Sequence, residues 1–183
     1  MTIYNNSNRW KHDSCDSVDE SRDCSLTNSG GIAVINEDVA ISGDGATTIN
    51  LFSFEGCIDL MEIGLLIKTV TDATTFSNVK FVVYDGTNTV DLTDVVDGSG
   101  IVTGAKFFKT GAAGTALSLM NGGQVRILES AFNKPFVETV INGLPGTTNY
   151  VQLSFTGDAN TDITANVKVR WKPLCNNGTL SKV

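Results

Sequence analysis

The sequence predicts an all-β protein: an antiparallel two-sheet sandwich, of the jelly-roll kind, with an extended N-terminal arm. Three observations point there. Apolar and polar residues alternate at period two in segment after segment, the spacing of strands with one buried and one wet face. Clusters of Gly, Asn, Asp and Thr separate these segments at short intervals, and no stretch keeps helical periodicity. Residues 1–31 are polar and rich in Ser, Asn and Asp, whereas short apolar segments follow almost without a break from Ile32 onward. The chain therefore divides into an arm, 1–31, and a β-sandwich domain, 32–183.

The arm cannot bury enough apolar surface to fold alone, so it is expected to be extended until a partner orders it. Its larger apolar residues are Ile3, Tyr4 and Trp10. Trp10 lies between Arg9 and Lys11, the pattern of an aromatic anchor that docks in a pocket while flanking charges stay in water. Ile3, Tyr4, Arg9, Trp10 and Lys11 are thus the candidate partner-binding residues. Ser29-Gly-Gly31 reads as a hinge into the body.

Strand candidates follow at 32–36, 38–42, 47–54, 57–70, 78–85, 87–93, 101–109, 115–120, 124–129, 136–141, 148–156 and 162–172, with some pairs expected to merge. The clearest alternation runs through Val151, Leu153 and Phe155 and through Ala165, Val167, Val169 and Trp171. In the second of these segments, Lys168, Arg170 and Lys172 take the opposite face. Val79, Phe81 and Val83 repeat the pattern. Between Leu60 and Met61 the apolar parity changes, which predicts a β-bulge or a strand buried on both faces. Asp85-Gly86 and Asn121-Gly122-Gly123 are hairpin signatures, and Asn142 to Gly146 and Thr156 to Asp158 read as loops.

Composition bounds the function. A chain of 183 residues suits one ordinary domain, and about 150 residues remain beyond the arm to build a core. Charged residues make up 18%, below the roughly 25% usual for soluble domains, which fits a surface partly covered by neighbours. A net charge of −7 argues against nucleic acid as a partner. Lys106 with Lys109, and Lys168 with Arg170 and Lys172, read as solvated strand faces. The longest apolar run, 58–70, is interrupted by Asp59, Glu62, Gly64 and Lys68, so no membrane span is expected. No basic-then-apolar leader is visible at the start, and the expectation is a soluble protein made in the cytoplasm. There the sequons at Asn5 and Asn177 are silent, and Cys15, Cys24, Cys57 and Cys175 are expected as free thiols. Cys15 and Cys24 would close a small loop under oxidising conditions, and Cys57 is expected to pack as a small buried hydrophobe.

No residue set announces a reaction. The single histidine, His12, lies in the arm, away from any nucleophile of the body. His12, Cys15, Cys24 and Cys175 are zinc-competent types, but their spacing matches no established zinc motif. Glu55, Asp59 and Glu62 are the carboxylates to consider for glycoside hydrolysis, and sequence sets no distance between them. Asp91, Asp94 and Asp97 do not follow a calcium-loop spacing and read as an acidic turn. Thr110 to Gly114 lacks the Lys-Ser/Thr ending of a phosphate loop. Trp171, Phe107 and Phe155 point inward by parity and so are not sugar-stacking platforms. The expectation is a protein that is not an enzyme, with no catalytic, cofactor-binding or metal-binding residues.

The polar arm, the segments Val39 to Phe52 and Val79 to Thr87, and the closing Ala165 to Trp171 strand together resemble the jelly-roll auxiliary proteins of tailed-phage virions. These include capsid cement (decoration) proteins and some tail or fibre modules. The resemblance spans about 39–172 and carries over no individual functional residue. It implies a homotrimer on the virion, bound to the major capsid protein or another virion protein, with arms reaching adjacent subunits. Tethering makes arm docking intramolecular once the body is bound, so weak contacts sum to firm attachment. The competing expectations are a receptor- or carbohydrate-binding module of a tail appendage, and a polysaccharide hydrolase.

Overall fold

A computed structural model describes residues 31–109, 118–120 and 139–183. The described chain forms eleven strands: β1 (Ile32–Ile41), β2 (Gly45–Glu55), β3 (Cys57–Asp72), β4 (Ser77–Tyr84), β5 (Thr89–Asp91), β6 (Lys106–Phe108), β7 (Ser118–Met120), β8 (Thr139–Asn142), β9 (Asn149–Gly157), β10 (Asp162–Pro173) and β11 (Thr179–Lys182). One sheet runs β1-β10-β3-β6-β7, with β8 also paired to β3; the other runs β11-β2-β9-β4-β5. Every pairing is antiparallel. The protein is an all-β two-sheet sandwich, as its alternation predicts. The arm and the candidate strand at 124–129 lie outside the described residues.

Alternation decides which face of each strand goes inward. From the first sheet, Ile58, Leu60, Ile63, Leu65 and Ile67 of β3 and Ile163, Ala165, Val167, Val169 and Trp171 of β10 are buried. They meet Phe52 and Phe54 of β2, Val79 and Phe81 of β4, and Val151, Leu153 and Phe155 of β9 in one core. Phe76, just before β4, packs edge-on against Phe107 at 6.0 Å and tilted against Phe155 at 5.4 Å. The parity change in β3 is a bulge. Glu62 pairs with Arg170 and Leu60 with Trp171, so Met61 is the extra residue that lets both halves of β3 face the core.

The candidates 32–36 and 38–42 are one strand, β1, whose register shifts between Asn36 and Val39. Asp38 takes the left-handed conformation there, with φ 55°, and its N–H donates to Asn166 Oδ1 at 3.0 Å. Asn36 shares the inward parity of Ile32 and Val34 and is buried, and the bulge after it returns Val39 and Ile41 to the same face. Its amide donates to Leu51 O at 2.9 Å and to Val183 O at 3.2 Å. Asn36 thereby ties an edge of one sheet to β2 and to the residue after β11.

Three segments depart from expectation. The strand expected over 101–109 shrinks to β6, because Gly104 N and Ala105 O bond Ile67 through turns rather than a continuous ladder. The 87–93 candidate shrinks to β5, since Leu92 and Thr93 both donate to Phe81 O where the chain bends. Lys109 is not on a solvated face with Lys106: it is buried, while Lys106 is exposed. Residues three apart on an extended chain point to opposite sides, so the pair could not share one face. Burial pushes the Lys109 ammonium below the usual lysine value.

Asn36→Ala removes both bonds across the sandwich edge and leaves buried carbonyl groups with fewer donors. The expected loss is about 1–3 kcal/mol, read as a lower urea midpoint at unchanged slope.

Candidate functional site

A concavity lies at one end of the sandwich, where the β2–β3 turn, the β8–β9 loop and the β10–β11 loop converge. It is an open cleft of about 640 Å³ lined by residues 55–57 and 142–148 with Cys175 and Asn177. A smaller groove of about 170 Å³ shares Glu55 and Thr148 with it and continues past Ser53, Thr179 and Ser181.

Local chemistry explains why these loops stand where they do. Gly56 has φ +64° and its carbonyl accepts Gly143 N–H at 2.9 Å, which joins the first two loops. Asn149, the first residue of β9, is buried beneath the β8–β9 loop. Its Oδ1 accepts Leu144 N–H at 3.0 Å, and its Nδ2 lies 3.1 Å from Thr147 O and 3.3 Å from Leu144 O. One side chain thus substitutes for the missing ladder partners of a whole loop. The third loop leaves β10 with Leu174 N–H on Cys57 O at 2.9 Å, then turns so that Cys57 N–H donates to Cys175 Sγ at 2.8 Å. Cys57 is therefore half-buried at the cleft beside a second thiol. It does not pack as an isolated core hydrophobe, because Ile58 takes the inward position and parity turns Cys57 out.

The outer face of the second sheet adjoins the groove. Ser181, Ser53, Tyr150, Tyr84 and Thr89 form one cross-strand row over all five strands. Tyr84 and Tyr150 are half-buried on this face. The β4–β5 turn closes the row: Asp85 Oδ1 accepts the N–H groups of Asn88 at 2.6 Å and Thr87 at 2.9 Å. Those bonds, that to Asn88 foremost, hold the Asp85 carboxyl below its ordinary value of 3.8.

The candidate carboxylates separate rather than converge. Asp59 is buried and receives Lys172 Nζ at 2.9 Å, while Glu62 lies between Lys168 at 3.5 Å and Arg170 at 3.8 Å. The basic residues of β10 thus form a wet ion-paired face, as their alternation predicts. Glu55 alone of the three lines the cleft. Asp91 pairs with Lys80 at 2.7 Å, Asp94 accepts Val95 N–H, and Asp97 accepts Ser99 N–H, so each serves its own turn or strand. Phe107, Phe155 and Trp171 are buried as parity predicts. Among the described residues no three His, Cys, Asp or Glu side chains gather as a metal site, and no helix is long and apolar enough to cross a membrane. Ile3, Tyr4, Arg9, Trp10 and Lys11, and likewise His12, Cys15, Cys24 and the Gly-rich stretch 110–114, lie outside the described residues.

No family model, curated protein or solved structure matches this chain. Sequence reasoning missed two juxtapositions. Cys57 and Cys175 are 118 residues apart, and Tyr84 meets Tyr150 only through sheet register. The one local cue was the outward parity of Cys57 and of both tyrosines.

Two outcomes test this description. An added Cβ at Gly143 would lie 2.7 Å from Asn149 Nδ2 and 3.2 Å from the Phe54 ring. Gly143→Ala should therefore cost about 1–3 kcal/mol in chemical denaturation, as overpacked positions do. The Asp85 contribution is complete above its ordinary value and is lost as pH falls through the lowered folded-state value. Asp85→Asn should be less stable at pH 7 and show a flatter decline below about pH 4 in denaturant midpoints.

Proposed function

We propose that this protein is a structural component of a virion: an auxiliary cement (decoration) protein that reinforces a capsid as a homotrimer, through contacts of its body and its arm. The observation that carries this reading is the strand order. Taking four strands from each sheet, β1-β10-β3-β8 and β2-β9-β4-β5 interleave early strands with late ones, the order that nested Greek keys produce. That order supports a jelly roll, the architecture implied by the resemblance to phage auxiliary proteins. The chain also enters the body on β1, which among the described residues pairs only with β10, so the arm is joined to an edge strand. A binding rather than catalytic role is supported by Asp59 and Glu62, whose carboxylates are engaged by lysine and arginine. The partner on this reading is the major capsid protein or another virion protein, with the net negative charge disfavouring nucleic acid.

A second reading, carbohydrate recognition by a tail appendage, rests on a separate observation. The groove carries hydroxyls from Ser53, Thr148, Thr179 and Ser181 beside the Glu55 carboxylate, and Tyr150 stands across from Ser53 on the same face. Hydroxyls and a carboxylate next to an aromatic ring are the groups a sugar contacts.

One experiment separates the two. A chain lacking 1–31 should keep its melting temperature within a few degrees, sediment as a trimer and lose at least tenfold in affinity for capsid shells. Unchanged capture of the truncated chain by shells refutes the arm's role. Shell-independent binding to a glycan array that Glu55→Gln abolishes transfers the assignment to the second reading.

A further inference from the structure

We propose that Cys57 and Cys175 are a reactive thiol pair, converted to a disulfide by low-molecular-weight disulfides such as oxidised glutathione. This site is independent of the attachment reading. Its evidence is positional. The last pair of the β3–β10 ladder is Ile58 with Pro173. Beyond it, Leu174 N–H bonds Cys57 O at 2.9 Å, and the next residue places its sulfur 2.8 Å from Cys57 N and 3.5 Å from Cys57 O. The Cys175 sulfur therefore lies over the Cys57 backbone itself. Continuing the ladder sets Leu174 opposite Cys57. It is the approach of the Cys175 sulfur to Cys57 N, at 2.8 Å, that brings the two residues near the Cα separation of about 4.4–6.8 Å that a disulfide spans.

The close approach is built in by two glycines. A Cβ on Gly56 would come within 2.8 Å of Asn177 O, and one on Gly178 within 2.7 Å of Cys57 O. Only glycine at both positions lets residues 175–178 lie directly on the 56–57 turn. Cys175 O accepts Gly178 N–H at 2.9 Å and Cys175 Sγ donates to Asn177 Oδ1 at 3.0 Å, which fixes the loop around the sulfur. Bond formation therefore needs side-chain rotation rather than rearrangement of the backbone. Access is equally important. Both cysteines are half-buried and line the open end cleft, which has room for a tripeptide disulfide to approach.

The chemistry is two successive exchanges. A thiolate of the pair attacks one sulfur of the reagent; a new S–S bond forms, the reagent's own S–S bond breaks, and one reagent thiolate leaves and takes up a proton. The second protein thiolate then attacks the protein sulfur of this mixed disulfide and expels the other reagent thiol. Two protein thiols are oxidised and one reagent disulfide is reduced to two thiols. The product clamps the start of β3 to the exit of β10 and fixes the loop that borders the cleft. It joins residues 118 positions apart, so it strongly restricts the unfolded chain.

The test uses the full chain incubated with oxidised glutathione, alkylated, and mapped by mass spectrometry without reduction. The expected result is a peptide cross-linked between Cys57 and Cys175, with a melting temperature about 5–10 °C higher that dithiothreitol reverses. Cys57→Ser and Cys175→Ser should each abolish that shift and leave the remaining thiol glutathionylated. A Cys15→Ser/Cys24→Ser double variant should keep it. Glutathione adducts without a cross-link in the unmutated chain, links from Cys57 or Cys175 to Cys15 or Cys24, or a cross-link that leaves the melting temperature unchanged would each overturn the proposal.

Discussion

The ladder between β3 and β10 is the constraint from which the other parts take their places. β10 carries β1 on its far side, and β3 carries β6 and β8 along successive parts of its other edge. Both central strands must therefore present one apolar face over their whole length, although β3 has 16 residues and the twist of a long strand works against that. Met61 resolves the conflict by adding one residue to β3, and further register shifts lie near Asp162 and Thr164 of β10. Without the extra residue, Ile63, Leu65 and Ile67 would face solvent whenever Ile58 and Leu60 faced the core. Each such side chain contributes about 1.5–3 kcal/mol on burial, so exposing the three would cost an amount comparable with the usual net stability of a domain.

The second sheet depends on the first in a less local way. Its core strands β2, β9 and β4 come from distant parts of the chain, and its closure to the first sheet runs through Asn36 and the 180–183 segment. Nearly every contact that matters joins residues far apart in sequence, which makes loop-closure entropy the main obstacle to folding. The design also has to control its edges. β5 has only three residues, and β1 is bent by its bulge and carries Glu37 and Asp38, devices that discourage edge-to-edge association.

How much of this was legible in the sequence follows from range. Period-two alternation is a property of neighbouring residues, so β4, β9 and β10 could be read directly, while the parity change at Met61 signalled either a bulge or a strand buried on both faces. The inward aromatic residues Phe107, Phe155 and Trp171 followed from the same parity. β11 escaped because four residues with one apolar side chain, Leu180, carry too little pattern; it is a strand because Phe52 to Glu55 offer it a ladder. Lys109 escaped because charge suggests water whereas parity and the Ile63 carbonyl draw its backbone inward. The end cleft was legible only in part. Asn142 to Gly146 announces a loop, but the fact that Asn149 supports it, or that Cys175 returns to Cys57, is a matter of topology.

Charge placement bears on how such a body attaches. On the outer face of the first sheet, Lys168 and Arg170 meet Glu62, Lys172 meets Asp59, and Lys68 meets Asp38. The exposed pairs add little to stability, whereas the carboxylate of Asp59 is buried and depends on Lys172; all of them cancel one another's field at short range. Acidic groups of the loops are held instead by nearby donors: Asp85 and Asp97 by N–H and side-chain groups of their own turns, and Asp158 first by the Thr75 side chain and then by its own turn. These bonds lower each carboxyl below its ordinary value. A partner approaching the first sheet therefore meets a self-compensated lattice that offers register but little net attraction. On the attachment reading, affinity must then come from elsewhere, and a tether contributes it most cheaply: an arm joined to β1 is held near the partner as soon as the body touches, whatever the weakness of that first contact.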